Sequence, residues 1–262
     1  MTPIQQLMLG VGAKKKTYMD DVFSTQLWTG NSTVPRTITT GFDMASDGGM
    51  VWIKKRNSGT ESDHIIGGTG LSDNNYIRSN STAAKTGHAG RFRSLTSTGF
   101  EIGSSGYVNE THTYSGWAFK QAPGFFDVVT YTGNESVRNI AHSLGCKPGM
   151  ILIKELGGTS PWLVQHRAEG AGRKAELNYT NAFEVHTPSW NDTEPTSTHF
   201  TLGGSTHVNG NGDTFVAYLF AGGESTNALA RSVDFDGNDS LTLAASNDFH
   251  CTGDLTIEGW FN

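Results

Sequence analysis

Five blocks of this 262-residue sequence occur twice, in the same order and about one hundred residues apart. WTGN from Trp28 recurs as YTGN from Tyr131, GMVWIKK from Gly49 as GMILIKE from Gly149, and STGFEIG from Ser97 as STHFTLG from Ser197. Val108-Asn109 recurs as Val208-Asn209, and TYSGWAF from Thr113 recurs as TFVAYLF from Thr214. The offsets are 103, 100, 100, 100 and 101, so only loop lengths differ between the copies. A period this long exceeds the roughly 20–50 residues of a solenoid unit, so each copy must be a domain-sized fold.

Within a copy the blocks read as strands. Met150 to Ile153 is a short apolar run that follows Pro148-Gly149, the pattern of a strand opening from a turn. Thr214 to Phe220 is apolar on both alternating faces, which predicts a central strand. Asn209 to Asp213 before it is a turn sequence, because Asn and Gly tolerate positive φ. Gly, Thr, Ser and Asn together supply 104 residues, and helical spacing of apolar residues never persists beyond about three turns. The fold class is therefore all-β, with each copy a small antiparallel sandwich. Trp52, Trp117 and Tyr218 lie inside repeated strands and are expected in the core. The connector Ala118 to Phe126 is short and apolar, so the two copies are expected to pack directly against each other. The domain reading is an N-terminal anchor over 1–25, repeats over 26–122 and 123–222, a linker over 223–231, and a third, incomplete domain over 232–262.

Charge and composition exclude several functions. Residues 1 to 221 carry 18 basic and 18 acidic groups, and the net charge of -6 comes entirely from the last 41 residues. A neutral body with no basic stripe argues against nucleic acid. No apolar run approaches the twenty or so residues of a membrane helix. Cys146 and Cys251 have no C-x-x-C partner, so no disulfide framework is implied. The lysines at Lys14, Lys15 and Lys16 follow the apolar stretch, the reverse of a secretory signal.

Catalytic templates fail residue by residue. Gly10 to Thr17 places Lys15 where a phosphate loop needs its second glycine. The nine histidines include no H-E-x-x-H and no i, i+4 pair, and no G-x-S-x-G elbow exists. The paired carboxylates of a retaining glycosidase are missing from any strand of the E-x-D-x-x-E kind. The chain is read as a non-enzyme. Two groups of binding candidates remain. Trp162 and Trp190 lie beside prolines, with Asn191 and Asp192 adjacent to the second. Such residues suit stacking on a sugar ring and bonding its hydroxyls, and the favoured alternative is that both tryptophans anchor packing. At the N-terminus, Ile4, Leu7, Met8 and Leu9 followed by Lys14, Lys15 and Lys16 suit docking into a partner groove; the alternative is a disordered or domain-packed terminus.

From Arg231 the pattern changes. Val233 to Leu241 and Gly253 to Trp260 form a hairpin signal and a further strand, and the sequence closes at Asn262 in mid-pattern. These elements, V-x-F-D-G-x-x-D-x-L and G-D-x-T-I-E-x-W, resemble the opening of laminin-G-like, concanavalin A-like jelly-roll domains. That resemblance implies carbohydrate or glycoprotein recognition, in places with calcium. Asp234, Asp236 and Asn238 alternate as in a calcium loop, but Asp239 and Ala245 break the template, and a polar hairpin turn is the favoured reading.

The body has its own likeness. MTPIQQLMLG, KTYMDDVFST, APGFFDVVTYTGN, NIAHSLGCKPGMILIK, WNDTEPTSTHFTLG and NGDTFVAYLFAGG resemble virion proteins of marine tailed bacteriophages, which carry such repeats ahead of a laminin-G-like domain. The resemblance implies a virion protein made in the host cytoplasm, a tail fibre or host-adhesion appendage docked on other virion proteins by its N-terminus. By analogy with fibres it implies a homotrimer that meets a host surface glycan. The alternative is a capsid or tail decoration or connector protein with no receptor role.

Overall fold

A computed structural model of the chain describes residues 17–57 and 63–223. The chain divides into two compact units, Met1–Glu224 and Ser225–Asn262. The anchor residues Ile4 to Lys16, the linker beyond Gly223 and the laminin-G-like start all lie outside the described residues.

The first copy begins with a 3-10 turn, Met19–Asp21, and contains β1 (Phe23–Thr29), β2 (Arg36–Thr39), β3 (Gly49–Lys55), β4 (Ile65–Gly68), β5 (Asn75–Arg78), β6 (Thr86–Gly87), β7 (Phe92–Thr96), β8 (Gly99–Ile102) and β9 (Thr113–Lys120). The second contains β10 (Phe126–Thr132), β11 (Arg138–Ala141), β12 (Pro148–Glu155), β13 (Leu163–His166), β14 (Arg173–Glu176), β15 (Glu184–Val185), the helical turn α1 (Thr187–Trp190), β16 (His199–Leu202), the helical turn α2 (Thr206–Asn209) and β17 (Thr214–Ala221). Each copy forms one large antiparallel sheet, β1-β9-β3-β4-β5-β6 and β10-β17-β12-β13-β14-β15. The two strand orders are the same once the copies are superposed in sequence. A small sheet covers one face of each, β2-β8-β7 in the first copy and β11-β16 in the second. The all-β sandwich expected from the sequence is therefore present, with β17 central between β10 and β12.

Strand periodicity explains the three cores. On β3, Val51 and Ile53 point to the small sheet and join Trp28, Phe100 and Tyr114, while Met50 points the other way. On β12, Ile151 and Ile153 meet Ile140 and Phe200 of the second small sheet, while Leu152 points the other way. The outward faces of the two large sheets then bury each other, with Met50, Ile66 and Ile77 of the first copy against Phe126, Val128 and Tyr218 of the second. Direct packing of the copies, expected from the short connector, is what the chain does. Tyr218 is fully buried, whereas Trp52 and Trp117 are only partly so.

The expected anchor boundary at residue 25 is corrected. Val22 is buried and its carbonyl accepts the Lys120 N–H at 2.8 Å, and Phe23 to Thr29 pair with β9 throughout. Residues 19–25 belong to the first sandwich, because the apolar Val22 and Phe23 find cover beside β9.

Candidate functional site

The connector builds a polar concavity. After β9 the chain turns tightly, with Ala122 N–H donating to the Phe126 carbonyl at 3.0 Å and Phe126 N–H returning to Ala122 at 3.1 Å. The turn holds Gln121 beside the first copy, its N–H on the Gly48 carbonyl at 3.1 Å. Its Nε2 donates to Asp127 Oδ1 at 2.8 Å. Asp127 follows the first residue of β10 and is only 5% exposed, so its carboxylate must be satisfied from within. Val128 N–H donates to Oδ1 at 2.9 Å and Ser143 N–H to Oδ2 at 2.6 Å. Gln121, Asp127, Thr130, His142 and Ser143 line an open depression of about 380 Å³.

A second depression, of about 420 Å³, lies on the first copy and is lined by Thr69, Gly70, Ser72, Asp73 and Phe92 among others. The two are neighbours across the junction of the copies, because a Cβ on Gly70 would come 2.6 Å from the Thr130 methyl. Thr69 Oγ1 is held by the Gly49 N–H at 2.9 Å. Both depressions are shallow, with polar side chains in their linings.

Acid–base chemistry is not assembled there. Asp127, His142 and Ser143 are close, but the carboxylate is engaged by one amide and two backbone N–H groups rather than by the imidazole. His142 Nδ1 accepts the Leu144 N–H at 3.3 Å, and the ring stacks on Phe200 with centroids 6.5 Å apart. Burial holds this imidazole below its ordinary pKa, with the Thr196 carbonyl and Asp127 opposing the shift. The ring is thus neutral near pH 7 but its Nδ1 faces a donor, so no Asp–His–Ser relay exists. Among the described residues, no group of three or more His, Cys, Asp or Glu is arranged to hold a metal ion.

Trp162 and Trp190 anchor packing, the favoured of the two readings, and form no sugar-stacking face. Trp162 is fully buried between the copies, stacks on Tyr218 with centroids 6.1 Å apart, and donates Nε1–H to the Arg78 carbonyl at 2.8 Å. Trp190 is 1% exposed, in α1, within the core of the second copy. Neither ring presents a face to solvent, and the two belong to different cores, so they form no common platform. Asn191 and Asp192 are exposed in left-handed conformations after α1, with φ of 52° and 47°, and act as the turn that ends it. The anchor candidates Ile4, Leu7, Met8, Leu9, Lys14, Lys15 and Lys16 lie outside the described residues.

Gln121, Asp127, His142 and Ser143 were not legible as a group. The one signal was a single acid within the apolar FFDVV, since an acid there requires partners; the first copy has Ser24 at the matching place.

No curated protein and no solved structure matches the chain. A family described as Domain of unknown function (DUF7483) matches residues 19–241, beginning where the first sandwich begins and spanning both copies. Because that match covers most of the chain, the protein belongs to the DUF7483 family.

Proposed function

We propose that this protein is a non-catalytic structural component of a bacteriophage particle, a tail fibre or similar host-adhesion appendage. The residues ahead of the first sandwich hold it to other virion proteins through Ile4, Leu7, Met8, Leu9 and the three lysines. The two sandwiches form the stalk or shoulder, copies assemble as a homotrimer, and the C-terminal segment leads into a carbohydrate-recognising domain. The observation that carries the structural part of this reading is the apolar seam between the large sheets, which makes one stiff block of two domains. Open, polar depressions on that block suit weak contact with host surface glycan better than they suit enclosure of a reacting substrate.

Removal of residues 1 to 12 is expected to leave the sandwiches folded by circular dichroism and the protein absent from purified particles. Normal incorporation of the shortened chain would sink the anchor. Antibodies to the sandwiches are expected to label an appendage and to block adsorption. Labelling of the shell with adsorption unchanged would instead establish the decoration reading.

A further inference from the structure

The sequence holds two Asn-Gly dipeptides, Asn209-Gly210 and Asn211-Gly212, side by side where α2 gives way to β17. Such a pair is open to an intramolecular reaction, because a glycine nitrogen with no Cβ beside it can reach the side-chain amide carbon of the residue before it. The structure puts the two pairs in opposite surroundings.

Asn209 is fully buried, and both ends of its amide are engaged. Oδ1 accepts Asn134 N–H at 3.0 Å, and Nδ2 donates to the Ser136 and Gly203 carbonyls at 2.8 Å. An amide held from three sides does not swing toward the Gly210 nitrogen. That nitrogen donates to the Thr206 carbonyl at 3.1 Å, and a Cβ on Gly210 would come 2.3 Å from Asp213 Oδ2, so the approach is crowded as well.

Asn211 is exposed, at the corner of a turn closed by Asp213 N–H on the Gly210 carbonyl at 3.1 Å. Its amide makes no hydrogen bond among the described residues. Gly212 follows in a left-handed conformation, φ 81°, with nothing within 4 Å of the place its Cβ would take. Its N–H donates to the Gly133 carbonyl at 3.1 Å. That single bond must open before the nitrogen can react, and openings at exposed turns are the least costly a fold makes. The first copy has no such pair, since Asn109, the match of Asn209, is followed by Glu110, Thr111 and His112.

We infer that Asn211 is a site of spontaneous deamidation, and that Asn209 is protected from it while the chain is folded. The Gly212 nitrogen loses its proton to solvent base and attacks Asn211 Cγ. The N–Cγ bond forms, the Cγ–Nδ2 bond breaks, and ammonia leaves with a proton returned by water. Water then opens the succinimide ring, at Cγ to give aspartate or at the Asn211 main-chain carbonyl to give isoaspartate. Nothing is oxidised or reduced. Either product adds one negative charge to the chain's -6, and isoaspartate also lengthens the main chain by one atom just before Gly212, the residue bonded to Gly133.

Full-length protein held for weeks at neutral and at mildly alkaline pH, then mapped by peptide mass with fragmentation, tests this. The expected result is the amide-to-acid mass gain and isoaspartate at position 211, at least about tenfold faster than at 209 and faster at the higher pH. In denaturant, where the clamp on Asn209 is gone, the two pairs should convert at comparable rates. Asn211→Gln, whose longer side chain closes a less favourable ring, should abolish conversion at 211 and leave 209 as slow as before. Like rates at 209 and 211 in the folded chain, or rapid conversion of 209 in the variant, overturn the protection assigned to burial. A folded chain that stays unconverted at 211 while the denatured chain converts there overturns the site.

Discussion

Lys154 carries an ammonium group onto the seam face of β12. It lies on the face of β12 shared by Leu152, is fully buried, and its Nζ donates only to the Glu155 carbonyl at 2.7 Å among the bonds seen here. Burial lowers its pKa from 10.5 to about 8, with Glu155 opposing the shift. That fall costs the folded state about 3 kcal/mol at neutral pH. The folded lysine holds its proton less tightly than the unfolded one. Between pH 8 and 10.5 the unfolded chain therefore binds more protons, and stability rises with pH across that window. Below it both states are charged and the penalty is constant. Lys154→Met, of similar length, should raise the melting temperature at pH 7 and flatten the alkaline rise. Thermal melts at pH 7 and about pH 9.5 check both parts, and a lower melting temperature for the variant at pH 7 would count against the account. Neither this burden nor the place of Trp162 between the copies could be read from one dimension. A lysine after four apolar residues also fits an exposed strand end, and a tryptophan beside a proline also fits a loop.

The repeated blocks turn out to be one locking device made twice. After β1 and β10 the chain bends through Gly30 and Gly133, where a Cβ would overlap the Glu110 and Gly210 carbonyl oxygens. Trp28 Nε1 and Tyr131 OH donate to the Val108 and Val208 carbonyls at 2.8 and 2.7 Å. The next residues, Asn109 and Asn209, are fully buried and clamp the bend. Asn209 accepts Asn134 N–H at 3.0 Å and donates to the Ser136 and Gly203 carbonyls, both at 2.8 Å. Asn209→Ala leaves one donor and two acceptors without their partner, the Gly203 carbonyl in the interior, and should cost about 2–3 kcal/mol. Asn209→Asp should fare no better, because a carboxylate cannot donate. Denaturant midpoints measure this, and a loss under about 1 kcal/mol for Asn209→Ala would show the clamp to be idle. This geometry explains which elements were legible. The blocks that repeat are the long strands, the small-sheet strands β8 and β16, and the clamp, where both sides of the backbone are constrained. Strands β4 to β6 and β13 to β15 escaped notice, since they are four residues or fewer in Gly- and Asn-rich sequence and their side chains face different neighbours in the two copies. Strand β7 has no strand counterpart, because the irregular stretch 191–196 after α1 takes its place in the second copy.

The connector announced that the copies touch, yet not which faces meet. Both faces of β3 and β12 are apolar, so alternation assigns no residue to the seam rather than to the sandwich interior. Only the tertiary arrangement shows that Trp162, Tyr218, Phe126 and Val128 exclude water together with Met50 and Ile66. If that seam is a core in its own right, neither sandwich is independent, since unfolding one leaves a large apolar sheet face of the other in water. The block should therefore unfold in a single transition, with fluorescence and far-UV circular dichroism coinciding and the calorimetric and van't Hoff enthalpies equal. Trp162→Ala removes the largest side chain from the seam and the indole bond to Arg78, at a cost of about 3–5 kcal/mol. Because the loss falls on the contact between the copies, it should separate the two probes rather than merely shift a common midpoint. A control in a sandwich interior, Phe200→Ala, should weaken the block by a similar amount, yet its transition should stay single at a lower midpoint as long as the seam holds. Two well-separated transitions in the unsubstituted protein would show that the seam is only a contact surface, and the stiff two-domain block would then have to be abandoned.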